Sequence, residues 1–168
     1  TVLARSPDVF PAGELEFLRL AANKVVGVYP TVDPREFTSR LTAKQLPQIG
    51  DDYLSRVEPR AAASPRFTDK LPHNFRLIGL IRIVFPNAKI VHVRRDPVDN
   101  CLSMLKVDFR SELLGFSNDL VTLGRYYNLY RGLMRHWRNV LPGEFYEIDY
   151  EDLVSNPEPA TRALFDYC

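Results

Sequence analysis

The 168-residue chain has the size of one ordinary domain, and its 45% hydrophobic and 26% charged residues are typical of a globular protein. A formal net charge of +1 excludes a global electrostatic attraction to nucleic acid or to an anionic membrane, so any anion site must be local. The most apolar stretch, residues 75–85, is too short to span a bilayer and contains Arg76 and Arg82. Cys101 and Cys168 lack the spacing of metal ligands and favour a reducing, cytoplasmic location.

The first third of the chain is predicted to be helical. Apolar residues at helical spacing predict a helix over residues 14–25. Asp33, an N-cap residue followed by proline, begins a second helix that runs to about residue 45. Pro47 opens a third helix, which also carries apolar residues on one face.

The rest of the chain alternates between short strands and helices. Strands are predicted over residues 66–68, 88–94 and 145–149. Helices are predicted over residues 73–85, from Asp96, over residues 118–140, and from Asn156. This alternation indicates an α/β fold with a parallel sheet, in which ligands bind at the carboxyl ends of the strands. The tyrosines of the long helix, Tyr126, Tyr127 and Tyr130, are interpreted as packing residues, and His92 as a core residue or a support for the site.

One strand end combines arginine with the start of a helix. Arg95 follows the strand directly, and the free N–H groups at a helix N-terminus attract anions. A guanidinium can hold a phosphate through two parallel hydrogen bonds, and Ser103, two turns into the helix, could add a hydroxyl donor. Alternatively, the arginine pairs with Asp96 or Asp99 and the serine lies on the helix surface. The spacing alone leaves both interpretations open.

Four sequence blocks, in order, resemble the sulfotransferases that use 3′-phosphoadenosine 5′-phosphosulfate (PAPS). Arg95-Asp96-Pro97 followed by Ser103 is similar to the 3′-phosphate-binding motif of that family. The other blocks are Ser6-Pro7-Asp8-Val9-Phe10 with Ala12-Gly13-Glu14, Thr68-Asp69-Lys70-Leu71-Pro72 with Asn74-Phe75, and Tyr150-Glu151-Asp152-Leu153. The blocks cover nearly the whole chain. They resemble the bacterial sulfotransferases often fused to tetratricopeptide repeats and, more distantly, the tyrosylprotein sulfotransferases.

The resemblance implies a P-loop NTPase-like parallel sheet with helices on both faces, and transfer of a sulfuryl group from PAPS to a hydroxyl acceptor. It implies that Arg95 and Ser103 bind the 3′-phosphate. Tyr150 would lie near the adenine and 3′-phosphate end, although a core aromatic is an equal alternative. The family uses no metal, and the three histidines and two cysteines show no metal-site spacing. Contact with helical repeats is also implied, whereas the class of the acceptor is not.

The same resemblance assigns catalytic roles to Lys70 and Glu14. Charge builds on the leaving oxygen in a loose transition state, and a nearby cation such as Lys70 stabilises that state more than the ground state. Glu14 matches the glutamate that acts as the base in tyrosylprotein sulfotransferases. Cytosolic sulfotransferases use a histidine two residues after the lysine, whereas His73 follows Lys70 by three. A solvated loop lysine and a simple helix-start acid are the alternatives, and Glu14 is preferred to His73 as the base.

Two parts of the donor site of that family are not recognised in these residues. A loop of Arg-Ser-Gly-Thr-Thr type cradles the 5′-phosphosulfate and would lie upstream of Ser6, and a closing segment would follow Cys168. We therefore expect residues 1–168 alone not to transfer sulfate at a useful rate. A non-catalytic module that binds a 3′-phosphonucleotide or acts as a scaffold is the alternative function. A P-loop kinase relative is disfavoured because no Walker A loop is recognised.

Overall fold

The computed structural model describes residues 2–27, 34–61, 64–107 and 112–168. The chain divides into two compact units, Thr1–Ala88 and Lys89–Cys168. Each unit contains one pair of parallel strands together with helices. This combination confirms the predicted α/β class.

In the first unit, β1 (Val9–Gly13) pairs in parallel with β2 (Arg66–Asp69). The register shifts between Pro11 and Gly13, and Gly13 lies beside Asp69. Gly13 has a φ of 84°, a left-handed conformation that glycine adopts without steric cost. The chain therefore turns away from the strand immediately after Gly13. The sequence patterns predicted β2 but not β1, because proline cannot donate to a strand ladder and argues against a strand.

The helices of the first unit are α1 (Phe17–Val26), α2 (Pro34–Arg40), α3 (Leu46–Ala61) and α4 (Ile78–Val84). The helix predicted from residue 14 starts later because β1 and its turn occupy the residues before it. The helix predicted over 34–45 is split, since a 3-10 turn at Ala43–Gln45 follows α2. Asp33, its predicted N-cap, lies outside the described residues. The helix predicted over 73–85 begins as a 3-10 segment, Pro72–Leu77.

A hydrophobic cluster from α1, α3 and Leu15, which precedes α1, supports the strand pair of the first unit. Its buried members are Leu15, Leu18, Ala21, Ala22, Ile49, Tyr53, Val57 and Ala61. Phe10 of β1 and Phe67 of β2 pack against it. Burial of each large apolar side chain is worth about 1.5–3 kcal/mol, so the cluster holds the two strand ends on a packed base.

In the second unit, β3 (Val91–Arg94) pairs in parallel with β4 (Tyr146–Asp149). The helices are α5 (Pro97–Leu105), α6 (Leu120–Val140), α7 (Tyr150–Ser155) and α8 (Pro157–Tyr167). Both predicted strands are confirmed, with slightly later starts, while α7 was not predicted. The predicted N-cap at Asp96 is also confirmed, because its carboxylate accepts the N–H groups of Val98 at 2.8 Å and Asp99 at 3.1 Å. Within the described ranges, no helix is both long and apolar enough to cross a membrane.

Candidate active site

Parallel pairing of β1 and β2 brings Glu14 and Lys70 together at one edge of the strand pair. Gly13 and Asp69 are the last residues of their strands and are register partners, so the next residue of each leaves from the same edge. The Lys70 N–H donates to the Gly13 carbonyl oxygen at 2.9 Å. The Lys70 ammonium contacts the Glu14 carboxylate, and these side chains are 56% and 53% exposed. A cation and a carboxylate therefore lie side by side, open to solvent, at the edge where parallel sheets bind ligands.

Hydrogen bonds to Asp69 connect this strand edge to the buried core. The Asp69 carboxylate accepts a hydrogen bond from the Leu15 N–H at 3.3 Å and another from the Tyr53 hydroxyl at 3.0 Å. Burial raises the pKa of both Asp69 and Tyr53, because their charged forms are poorly solvated there. Leu15 follows Glu14, and Asp69 precedes Lys70. Sequence reasoning gave Asp69 no role of its own, although its place between a strand and Lys70 was a visible signal.

His73, the alternative base, lies half-buried in the 3-10 segment that follows Lys70. Burial lowers its pKa first, and the charge of Arg76 lowers it further, while the carboxylates of Glu16 and Glu14 oppose that shift. A lowered pKa keeps the imidazole neutral near pH 7 and able to accept a proton. Both candidate bases therefore lie near the strand edge that carries Lys70.

The second pair of parallel strands also ends with two charged residues that are followed by candidate site residues. Arg94 and Asp149 end β3 and β4 as register partners and form an ion pair of 2.7 Å. The next residues are Arg95 and Tyr150, and the guanidinium carbon of Arg95 lies 5.1 Å from the centre of the Tyr150 ring. The Nε of Arg95 is buried and has no hydrogen-bond partner among the described residues. A buried donor without a partner fits a site for an anionic group.

At the start of α5, two backbone N–H groups already have a partner, and Ser103 lies further along the helix. Asp96 occupies two N–H groups of the first turn of α5, and its own N–H donates to Glu151 at 3.0 Å. Ser103 lies two turns into α5 with an exposed side chain. The structure thus brings Arg95 and Tyr150 together and places Ser103 on the surface of the helix.

A cleft of about 590 Å³ opens beside the ends of β3 and β4. Its lining residues are Arg94, Arg95, Asp96, Pro97, Tyr127, Tyr130, Arg131, Met134, Arg135, Arg138, Asp149 and Glu151. Tyr127 and Tyr130, interpreted from the sequence as packing residues, line this cleft. The arginines of α6 were missed as well, since arginines within a long helix usually lie on a solvated face. Their spacing four residues apart, at Arg131 and Arg135, was the available signal.

A chain of hydrogen bonds fixes the positions of two side chains, Tyr130 and Arg138, that line the cleft. The Nδ1 of His92 lies 2.8 Å from a Glu147 carboxylate oxygen, and its Nε2 lies 2.7 Å from the Tyr130 hydroxyl. Glu147 also accepts two hydrogen bonds from Arg138, at 2.9 and 2.7 Å. These bonds from Arg138, assisted by His92 and opposed by burial, lower the pKa of Glu147 to about 2. Burial lowers the pKa of His92, so a neutral ring that donates from Nδ1 and accepts at Nε2 satisfies both nitrogens.

Over the described part of the chain, no group of three histidine, cysteine or acidic side chains is arranged to hold a metal ion. The charged side chains of the two strand edges offer different chemistry. The first edge offers an ammonium beside a carboxylate, which suits proton acceptance next to a developing negative charge. The second edge offers guanidinium groups and an aromatic ring, which suit a phosphorylated aromatic ligand.

Comparison with known proteins assigns this chain to a family. An uncharacterized protein of Aquifex aeolicus is 37% identical over 178 residues, which cover 99% of this chain and 23% of that protein. The omega-hydroxy-beta-dihydromenaquinone-9 sulfotransferases of Mycobacterium bovis and Mycobacterium tuberculosis are 35% identical over 104 residues, which cover 56% of this chain and 26% of each relative. The chain thus spans about a quarter of the length of these curated relatives. The profile of the sulfotransferase family matches residues 1–168, and the chain therefore belongs to that family.

Proposed function

We propose that this chain is part of a sulfotransferase that transfers a sulfuryl group from PAPS to a hydroxyl acceptor. Membership of the sulfotransferase family supports sulfotransferase activity in general. The observation that carries the specific proposal is the contact between Lys70 and Glu14 at the shared edge of β1 and β2. This contact supports the proposal, because a carboxylate can accept a proton beside an ammonium group that can stabilise a leaving anion.

In the proposed reaction, Glu14 accepts the proton of the acceptor hydroxyl while the hydroxyl oxygen forms a bond to sulfur. The bond between sulfur and the oxygen that bridges it to the 5′-phosphate breaks. Lys70 stabilises the negative charge that develops on that oxygen, an interaction stronger in the transition state than in the ground state. The products are a sulfated acceptor and adenosine 3′,5′-bisphosphate. Asp69 supports both residues through its hydrogen bonds to Leu15 and Tyr53.

Recognition of the 3′-phosphate is assigned to Arg95, with Ser103 as a second donor and Tyr150 at the adenine end. The buried, unpartnered Nε of Arg95 supports this role, because binding an anion would satisfy it. Tyr150 is 44% exposed and Ser103 is also exposed, so both side chains are accessible to a ligand. PAPS would supply the sulfuryl group, and these side chains would bind and orient its nucleotide end.

The proposal includes three further expectations about the protein. We expect a P-loop NTPase-like sheet with helices on both faces, a cytoplasmic location, and contact with helical repeats. All three rest on the resemblance to PAPS-dependent sulfotransferases. The mycobacterial relatives are named as sulfotransferases of omega-hydroxy-beta-dihydromenaquinone-9, a hydroxylated compound, which supports a hydroxyl acceptor here.

The test compares adenosine 3′,5′-bisphosphate with AMP by calorimetric titration of the protein that contains this chain. Arg95→Ala should cost about 1.5–3 kcal/mol in binding of the bisphosphate, the range for hydrogen bonds to charged groups, and should leave AMP binding unchanged. Equal effects on both ligands, or none, would show that Arg95 does not read the 3′-phosphate. Labelled PAPS with a panel of alcohols and phenols then separates an enzyme from a module that binds the nucleotide without turnover.

A further inference from the structure

The cleft of the second unit carries more arginines than carboxylates. Five guanidinium groups line it: those of Arg94, Arg95, Arg131, Arg135 and Arg138. Three carboxylates line it: those of Asp96, Asp149 and Glu151. In a chain whose formal net charge is only +1, this is a local concentration of positive charge.

The three carboxylates of the cleft already have partners. Asp149 accepts a hydrogen bond from Arg94 at 2.7 Å. Asp96 caps α5 by accepting two backbone N–H groups. Glu151 accepts the N–H of Asp96 at 3.0 Å. These acids therefore have less capacity left to neutralise the other arginines.

Three arginines of the cleft remain without an ion pair to any described residue. Arg94 is paired with Asp149, and Arg138 is held by Glu147. The unpaired ones are Arg95, Arg131 and Arg135.

The two unpaired arginines of α6 are placed to act together. Arg131 and Arg135 are four residues apart, so their side chains leave the same face of the helix one turn apart. Like charges at this spacing destabilise a helix, and a bound anion would remove that cost. Each guanidinium presents five N–H donors in a fork that matches phosphate oxygens.

We propose that Arg131 and Arg135 form, together with Arg95, a binding position for a phosphate group of a nucleotide ligand. The proposal rests on the proposed function in one respect, because Arg95 is there assigned to the 3′-phosphate. The cleft volume of about 590 Å³ is that of a small-molecule site. Tyr127 and Tyr130 give it aromatic walls, which suit the nucleoside part of such a ligand.

The experiment measures dissociation constants for two probes, adenosine 3′,5′-bisphosphate and inorganic pyrophosphate. The variants are Arg131→Ala, Arg135→Ala and the double variant, and the matched control is Arg125→Ala. Arg125 is an exposed arginine of the same helix that does not line the cleft. Each single substitution in the cleft should weaken binding of both probes about tenfold, and the control should leave both unchanged. Lysine at both positions keeps the charge without the fork and should give an intermediate loss.

Thermal unfolding separates a loss of folding from a loss of ligand binding. Thermal unfolding of each variant should match the wild-type protein, because both arginines are exposed and contribute little to the core. If the double variant binds both probes as tightly as the Arg125→Ala control, the proposed position is refuted, even where Arg95→Ala abolishes binding. If the protein fails to distinguish adenosine 3′,5′-bisphosphate from AMP, the donor assignment fails. A selective loss of pyrophosphate binding in the double variant would still support the anion position.

Discussion

The Tyr53 hydroxyl donates a hydrogen bond of 3.0 Å to the Asp69 carboxylate, whose other oxygen accepts the N–H of Leu15. A buried side chain of α3 thereby fixes both the end of β2 and the loop that follows β1. Because Leu15 follows Glu14 and Asp69 precedes Lys70, one carboxylate sets the spacing of the two proposed catalytic groups. These groups are half exposed and would otherwise be positioned by little besides their own contact.

Replacing Tyr53 by phenylalanine removes one of the hydrogen bonds that the Asp69 carboxylate accepts. We expect Tyr53→Phe to lower the free energy of unfolding by about 1–3 kcal/mol, because a half-buried carboxylate oxygen loses its donor. We also expect kcat to fall with little change in KM, since Glu14 and Lys70 lose their spacing. Ser55→Ala, which removes an exposed hydroxyl from the same helix, is the control and should stay within about 0.5 kcal/mol of the wild-type protein. A stable Tyr53→Phe variant with normal kcat would contradict the positioning role.

Local signals predicted much of the fold because they depend on neighbouring residues alone. The cap at Asp96 and the strand β3 follow from side chains within a few positions of each other. The strand β1 could not be predicted in this way, since its pairing with β2 joins Phe10 to Phe67, far apart in the chain. Pro11 within it argues against a strand on local grounds.

The candidate site also depends partly on local sequence motifs and partly on contacts between residues far apart in the chain. The resemblance to sulfotransferases pointed to Glu14, Lys70 and Arg95, but the contact of Lys70 with Glu14 depends on strand register. Nothing local distinguishes Arg131 from an arginine on a solvated helix face. Its proposed role rests on the cleft that α6 lines.

Lys70→Ala tests the proposed stabilisation of the leaving group. We expect kcat to fall by about 10²–10³, the usual loss on removing one electrostatic stabiliser, with a much smaller change in KM. Lys24→Ala is the matched control, because Lys24 is an exposed lysine of the same unit that pairs with Asp52. Steady-state kinetics with labelled PAPS supply the measurement. A near-normal kcat for Lys70→Ala would show that Lys70 is an ordinary loop residue.

Glu14→Gln tests the identity of the base. The substitution keeps the size of the side chain and removes its ability to accept a proton, so turnover should fall by about 10²–10⁴. Binding of adenosine 3′,5′-bisphosphate should be unchanged, which calorimetry can check. Glu16→Gln is the control, since Glu16 is a neighbouring exposed acid paired with Arg19. If His73→Ala abolishes turnover while Glu14→Gln does not, His73 is the base.

The last prediction concerns the pH dependence of stability, which follows from Glu147 and His92. The folded-state pKa of Glu147 is about 2, whereas its ordinary value is 4.5. Because the folded value is the lower one, its contribution is fully present above about pH 5 and is lost as pH falls towards 2. Burial also lowers the pKa of His92 below 6.5, so its contribution is lost as pH falls below that value. Both groups therefore destabilise the folded chain on acidification, His92 first.

We expect the free energy of unfolding, measured by urea titration from about pH 7 to about pH 3, to fall by about 2 kcal/mol through Glu147 alone. Glu147→Gln should remove most of the loss below pH 5, because the amide does not titrate, and should lower stability at neutral pH by unpairing Arg138. Glu158→Gln is the control: Glu158 is 82% exposed in its pair with Arg162, and such pairs contribute little. If Glu147→Gln loses stability on acidification as steeply as the wild-type protein, the hydrogen-bond chain from Arg138 to Tyr130 does not set the acid response. The residual slope between about pH 7 and pH 5 in Glu147→Gln then measures His92, whose protonation breaks its acceptor bond from Tyr130, together with His73, whose pKa burial also lowers.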